Sequence, residues 1–94
     1  MTAEPAKPPT LLVVDDDPAV LVLIDRIATE LGFTVIRAMD GHAALEALPL
    51  VRPDGALVDV GLSGIDGLSL LREIKQADPQ SQVILMTGSA SIDS

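Results

Sequence analysis

The sequence contains no cysteine, which removes a disulfide framework, a thiolate metal site and a thiol nucleophile together. Basic residues are scarce: six Lys and Arg stand against fourteen Asp and Glu, for a net charge of −8. Those few cations are scattered, whereas phosphate contacts need clustered Lys and Arg, so the composition argues against nucleic-acid binding by this chain. No apolar run approaches the roughly 18 residues of a membrane span, and the N-terminus lacks the apolar core of a secretion signal. These absences point to a cytoplasmic protein without a membrane partner. At 94 residues and 48% hydrophobic, the chain has the size and composition of one small folded domain, not of a disordered acidic tail.

What is present begins with a stretch that calls for explanation. Leu11 to Val20 reads LLVVDDDPAV, four large apolar residues running into three aspartates and a proline. Asp17 and Pro18 have a local role as a helix start, a carboxylate that accepts an orphan N–H followed by a residue with none to satisfy. Asp15 and Asp16 have no such role. Two close carboxylates raise each other's pKa unless a cation sits between them.

The rest of the chain alternates strand and helix. Residues 1–10, with three prolines, read as a disordered leader. LLVV is a first strand, followed by an apolar helix from Pro18 to Leu31 that stops at Gly32, and TVIRA is a second strand. Val20, Leu23, Ile24, Ile27 and Leu31 form the expected core stripe of that helix, with Val22 exposed. Asp40 and Gly41 open a second helix, HAALEAL, closed by Pro49 and Pro53. GALVDV is a third strand. A third helix, LSLLREIKQA, is capped by Asp66, and QVILMT is a fourth strand whose continuous apolar run suits burial on both faces.

Such alternation predicts a parallel sheet with helices on its faces, and with all strand C-termini on one edge, where open α/β folds place their ligand sites. That edge receives Asp15 and Asp16 after the first strand, Asp59 at the end of the third, and Thr87 and Gly88 after the fourth. Neighbouring strands lie about 4.8 Å apart, so three carboxylates would converge on one small oxygen-only pocket. Such a pocket suits a hard divalent cation, Mg²⁺ above all. The ion would offset the repulsion and serve phosphoryl chemistry, with Asp59 as the nucleophile that forms an acyl phosphate.

The ordered set VVDDDP, ALVDV, GLSGIDG and ILMTG resembles the receiver domain of two-component response regulators over Leu11 to about Ser91. The resemblance implies a flavodoxin-like (CheY-like) doubly wound parallel sheet, here four strands and three helices spanning residues 11–94. It implies that Asp59 accepts phosphate from a sensor histidine kinase or phosphotransfer protein. It further implies that Asp16 binds Mg²⁺, or Mn²⁺ in its place, directly and Asp15 through water, with the Gly61 carbonyl as a third protein ligand. The Thr87 hydroxyl would bond a phosphoryl oxygen, and Gly88 would leave room for the group. Two features depart from the family pattern. Ser63 stands where a proline is usual. Receivers also continue through a fourth helix, a fifth strand with an essential Lys, and a fifth helix, whereas this sequence stops at Ser94. Lys7, Arg26, Arg37, Arg52, Arg72 and Lys75 all fall elsewhere, so the 94 residues lack the cation that couples phosphorylation to shape change.

Two other functions fit parts of the pattern. A dehalogenase-type phosphatase also begins with an apolar strand ending in Asp-x-Asp, here Asp15 and Asp17, but leaves Asp59 without a role. A receiver-like interaction module that no longer switches is the second. A four-stranded sheet would also expose the fourth-strand edge and part of one face, which predicts a homodimer or aggregation.

Overall fold

The computed structural model describes residues 7–62 and 65–86. Seven elements alternate along them: β1 (Thr10–Val14), α1 (Pro18–Glu30), β2 (Thr34–Ala38), α2 (Gly41–Val51), β3 (Gly55–Asp59), α3 (Gly67–Ala77) and β4 (Gln82–Met86). Thr10, assigned to the leader by the sequence, begins β1; it pairs with Thr34, and Thr34 donates its N–H to the Pro9 carbonyl at 2.8 Å.

Each helix starts on an aspartate. Asp17 accepts from Ala19 N, Asp40 from Ala43 N and Asp66 from Ser69 N, at 2.9, 2.8 and 2.8 Å. Pro18 occupies the first turn of α1, where its missing N–H leaves no bond unmade. The Ser69 N–H, first among several bonds, holds the Asp66 carboxyl below its ordinary range. α2 runs past the expected stop at Pro49, which lies within its last turn, and ends at Arg52 in the left-handed region, φ 44°. A proline this close to a helix end breaks few bonds; Arg52 N still reaches the Leu48 carbonyl at 3.0 Å.

The four strands are parallel in the order β2-β1-β3-β4. One face carries Leu12, Val14, Ala38, Ala56 and Val58, which pack with Ala44 and Leu48 of α2 and Leu70 and Ile74 of α3 into a single buried cluster. α1 packs on β1 and β2, over the opposite face, where Val13 is fully buried. Among the described residues, no helix covers the β3 and β4 part of that face. Ile84 is therefore 60% exposed, which corrects the expectation that β4 is buried on both sides.

The core stripe expected of α1 also requires correction. Leu21 and Ala28 are its buried residues, with Val20 and Ile24 half-buried, whereas Leu23, Ile27 and Leu31 are 55%, 49% and 73% exposed. Val22 is exposed, as expected. An apolar groove of about 270 Å³ runs beside the uncovered strands, lined by Leu11, Phe33, Leu57 and Ile84 among others.

Candidate functional site

In the order β2-β1-β3-β4, the chain leaves β1 toward one side and returns to β3 on the other. The crevice between the C-terminal ends of β1 and β3 is the switch point at which open α/β sheets bind ligands. Parallel pairing in register, Val14 with Val58, sets the next residues on each strand side by side. Those residues are Asp15 and Asp59.

Asp15, Asp16 and Asp59 meet there, each offering a carboxylate oxygen, with the three oxygens within 4.8 Å of one another. Asp15 is buried, 7% exposed, while Asp59 is half-buried and Asp16 exposed. Backbone bonds hold the frame: Asp15 N donates to the Ala38 carbonyl at 3.1 Å and Val60 N to that of Met86 at 3.0 Å. Burial pushes the Asp15 carboxyl above its ordinary range; the Asp17 N–H on its Oδ1, at 2.9 Å, opposes this, and the charges of Asp59, Asp16 and Asp17 add to the rise. The Gly61 N–H donates to Asp59 Oδ1 at 3.0 Å, fixing how that carboxylate is turned.

Asp17 stands apart from the cluster. Its carboxylate caps α1, so the carboxylate that joins Asp15 and Asp59 is that of Asp16. This arrangement removes the Asp-x-Asp pairing on which a dehalogenase-type reading depends. Thr87 and Gly88, and also Ser63, lie outside the described residues. Lys75 donates to the carbonyls of Pro79 and Ser81 at 3.0 and 2.7 Å, and Arg37 pairs with Asp25 at 3.3 Å.

Three residues beside the site, Gly67, Gly41 and Ile65, make close contacts that the sequence did not reveal. A Cβ on Gly67 would lie 2.8 Å from Val60 Cα and 3.1 Å from the Asp59 carbonyl, so the start of α3 rests directly on the backbone of the site. A Cβ on Gly41 would overlap Ile65 Cγ2. The available signal was the repeated pair Asp40-Gly41 and Asp66-Gly67. Asp is the cap, but glycine in the first turn contributes nothing to capping and is explained by close approach.

Known proteins share this fold and sequence pattern. The family model described as "Response regulator receiver domain" matches residues 11–94. The DNA-binding transcriptional regulator NtrC of Escherichia coli K12 is 40% identical over 81 residues, covering 86% of this chain and 17% of that protein. Sporulation initiation phosphotransferase F of Bacillus subtilis is 31% identical over 83 residues, 88% of this chain and 67% of that protein. The chain thus spans less than a fifth of the NtrC regulators and two thirds of the phosphotransferase. Among solved structures, response regulator TrrA of Thermotoga maritima, in complex with Mg(2+)-BeF, superposes with a TM-score of 0.80 at 29% identity, over 87% of this chain and 71% of that one. A Burkholderia pseudomallei response regulator with a phosphorylated aspartic acid, calcium ion and citrate gives a TM-score of 0.81 at 27% identity, over 89% of this chain and 49% of that one. The chemotaxis regulator CheY4 of Vibrio cholerae, only 21% identical, shares the fold at a TM-score of 0.81, over 88% of this chain and 71% of that one. The doubly wound parallel sheet and the match along the whole strand and helix alternation lead to one assignment: the chain belongs to the receiver domain family of two-component response regulators.

Proposed function

We propose that the chain is a phosphoacceptor signalling module rather than an enzyme, in which Asp59 receives a phosphoryl group from a sensor histidine kinase or a phosphotransfer protein in the cytoplasm. The observation that carries this reading is the convergence of Asp15, Asp16 and Asp59 within 4.8 Å at the ends of adjacent strands. The donor set suits a divalent cation of the hard class, Mg²⁺ or Mn²⁺: it is all oxygen, compact and negative. The upward push on Asp15 comes first from burial and then from the charges of Asp59, Asp16 and Asp17, and a cation bound there would oppose it. Asp15, Asp16, Asp59 and the Gly61 carbonyl would hold the ion. When bound, it supplies neutralisation of charge on the transferring phosphoryl oxygens.

The chain's own groups do the remainder. Gly61 N–H, on Asp59 Oδ1, holds the carboxylate in one orientation. An Asp59 oxygen then bonds to phosphorus as the P–N bond of a phosphohistidine breaks, and the electron pair leaves with the imidazole nitrogen. The product is an acyl phosphate. Thr87 and Gly88 directly follow Met86, the residue that pairs with Asp59 across β3 and β4. In this reading the Thr87 hydroxyl bonds a phosphoryl oxygen and Gly88 leaves the group its space. The phosphorylated aspartic acid and the Mg(2+)-BeF of the two related structures support the same chemistry.

Intact-mass measurement after incubation with a small phosphodonor tests the reading. We expect one phosphoryl group to be added in Mg²⁺, none after chelation and none in Asp59→Asn. A mass shift that survives Asp59→Asn would remove the assignment.

A separate part of the proposal concerns self-association. The groove of Leu11, Phe33, Leu57 and Ile84 is apolar, and among the described residues β4 pairs only with β3. Pairing of two copies through this edge and face would bury both.

A further inference from the structure

The turn that carries Gly61 leaves β3 beside the acidic pocket and ends at the start of α3. Two residues at its α3 end are seated differently. At Gly67 the contact is backbone to backbone, against Val60 Cα and the Asp59 carbonyl. At Ile65 it is a side chain on a distant element: Ile65 lies across Gly41, the buried first residue of α2, so closely that a methyl on Gly41 would overlap Cγ2 and stand 3.0 Å from Cβ. Asp40 fixes Gly41 by capping Ala43 N, and Asp66 fixes the residue after Ile65 by capping Ser69 N. At the β3 end of the turn, Leu62 is anchored in the core cluster, and Gly61 N–H holds Asp59 Oδ1. Ile65 on Gly41 is thus an apolar contact between the first residue of α2 and the end of this turn.

Building on the phosphoacceptor reading above, we propose that Ile65 seated on Gly41 is a positioning contact, which sets where Gly67 rests on Val60 and the Asp59 carbonyl and through that backbone the orientation of the Asp59 carboxylate and the Gly61 carbonyl. Neither residue touches the reacting atoms. Their role is to hold the start of α3 against the start of α2 at the observed separation. Interiors are close-packed, so a methyl added at Gly41 cannot be absorbed in place. Ile65 must leave its seat and shift the start of α3, with Gly67, against the backbone of Val60 and Asp59.

The test is a mutant cycle on the whole chain, reading Mg²⁺ affinity by titration and the rate of Asp59 phosphorylation by intact mass, at a temperature where each variant is folded. Gly41→Ala is expected to weaken Mg²⁺ binding on the order of tenfold, as loss of supporting contacts around metal ligands commonly does. The phosphorylation rate at subsaturating Mg²⁺ falls with it. Ile65→Ala, which adds no overlap, is expected to weaken binding less. The double variant Gly41→Ala, Ile65→Ala should recover most of what Gly41→Ala loses, because the overlapping Cγ2 is gone. A merely structural role would lower the melting temperature of Gly41→Ala while leaving Mg²⁺ affinity of the folded protein unchanged, and that result overturns the proposal. So does a double variant no better than Gly41→Ala. If Gly41→Ala does not fold, Ile65→Ala decides, with unchanged Mg²⁺ affinity again overturning the contact. Failure of the wild type to take phosphate at Asp59 would instead overturn the phosphoacceptor reading beneath it.

Discussion

The two faces of the sheet are built from the same kinds of residue and end in different states. On one, Leu12, Val14, Ala56 and Val58 are closed under α2 and α3, which also pack on each other. On the other, Val13 is covered by α1, yet one strand away Leu57 is half-buried and Ile84 is largely exposed. Strand alternation places apolar residues on both faces; which of them become core is decided by where the helices land. Two helices on the first face meet each other and seal it. Among the described residues, a single helix lies on the second and meets only β1 and β2.

This contrast can be broken most severely on the closed face. Leu70 of α3 is completely buried among large apolar neighbours, so Leu70→Ala should cost about 2–5 kcal/mol in a denaturant titration. A loss near zero would mean that the α2 and α3 layer is not the main core. A smaller effect of opposite sign is expected at the C-terminus of α2 on the same face. Arg52 is held at φ 44°, where an L side chain is strained, and Arg52→Gly should raise stability by about 0.5–1 kcal/mol. The smallest change in folding free energy should come from the open face. Ile84→Lys should alter the stability of the monomer by no more than about 0.5 kcal/mol, while abolishing any association seen by light scattering across a dilution series. A well-behaved monomer at every concentration, indifferent to Ile84→Lys, would reject pairing through this face.

The same contrast marks how far the sequence could be read. Caps, strands and their order along the chain were legible because each rests on local chemistry: Asp17, Asp40 and Asp66 accept the helix N–H groups expected of them. The acidic cluster was legible because parallel strands must end on one edge. The buried arc of α1 was not. A helix with apolar residues at Val20, Leu21, Val22, Leu23, Ile24 and Ile27 has no single stripe, so periodicity cannot select Leu21 and Ala28 over Leu23 and Ile27. The selection is made by tertiary packing on β1 and β2. The contact of Ile65 with Gly41 escaped notice for a related reason: the two are 24 positions apart, and only the fold brings them together.

The capping pattern has a further consequence at the scale of the whole molecule. In a parallel α/β sheet every helix begins at the strands' C-terminal edge, so the capping aspartates Asp17, Asp40 and Asp66 join Asp15, Asp16 and Asp59 there, six of the chain's fourteen acidic residues. Lys7, Arg52 and Lys75 lie toward the opposite edge, before β1, at the end of α2 and against the turn that precedes β4. The protein therefore carries a charge dipole aligned with its strands. Such a field reaches outward by about a Debye length, ~10 Å at 0.1 M salt. It attracts small cations to the acidic edge and repels anions from it. Under the proposed function, added salt should therefore act in opposite directions on the two encounters, retarding capture of a cation and easing the approach of a dianionic phosphodonor.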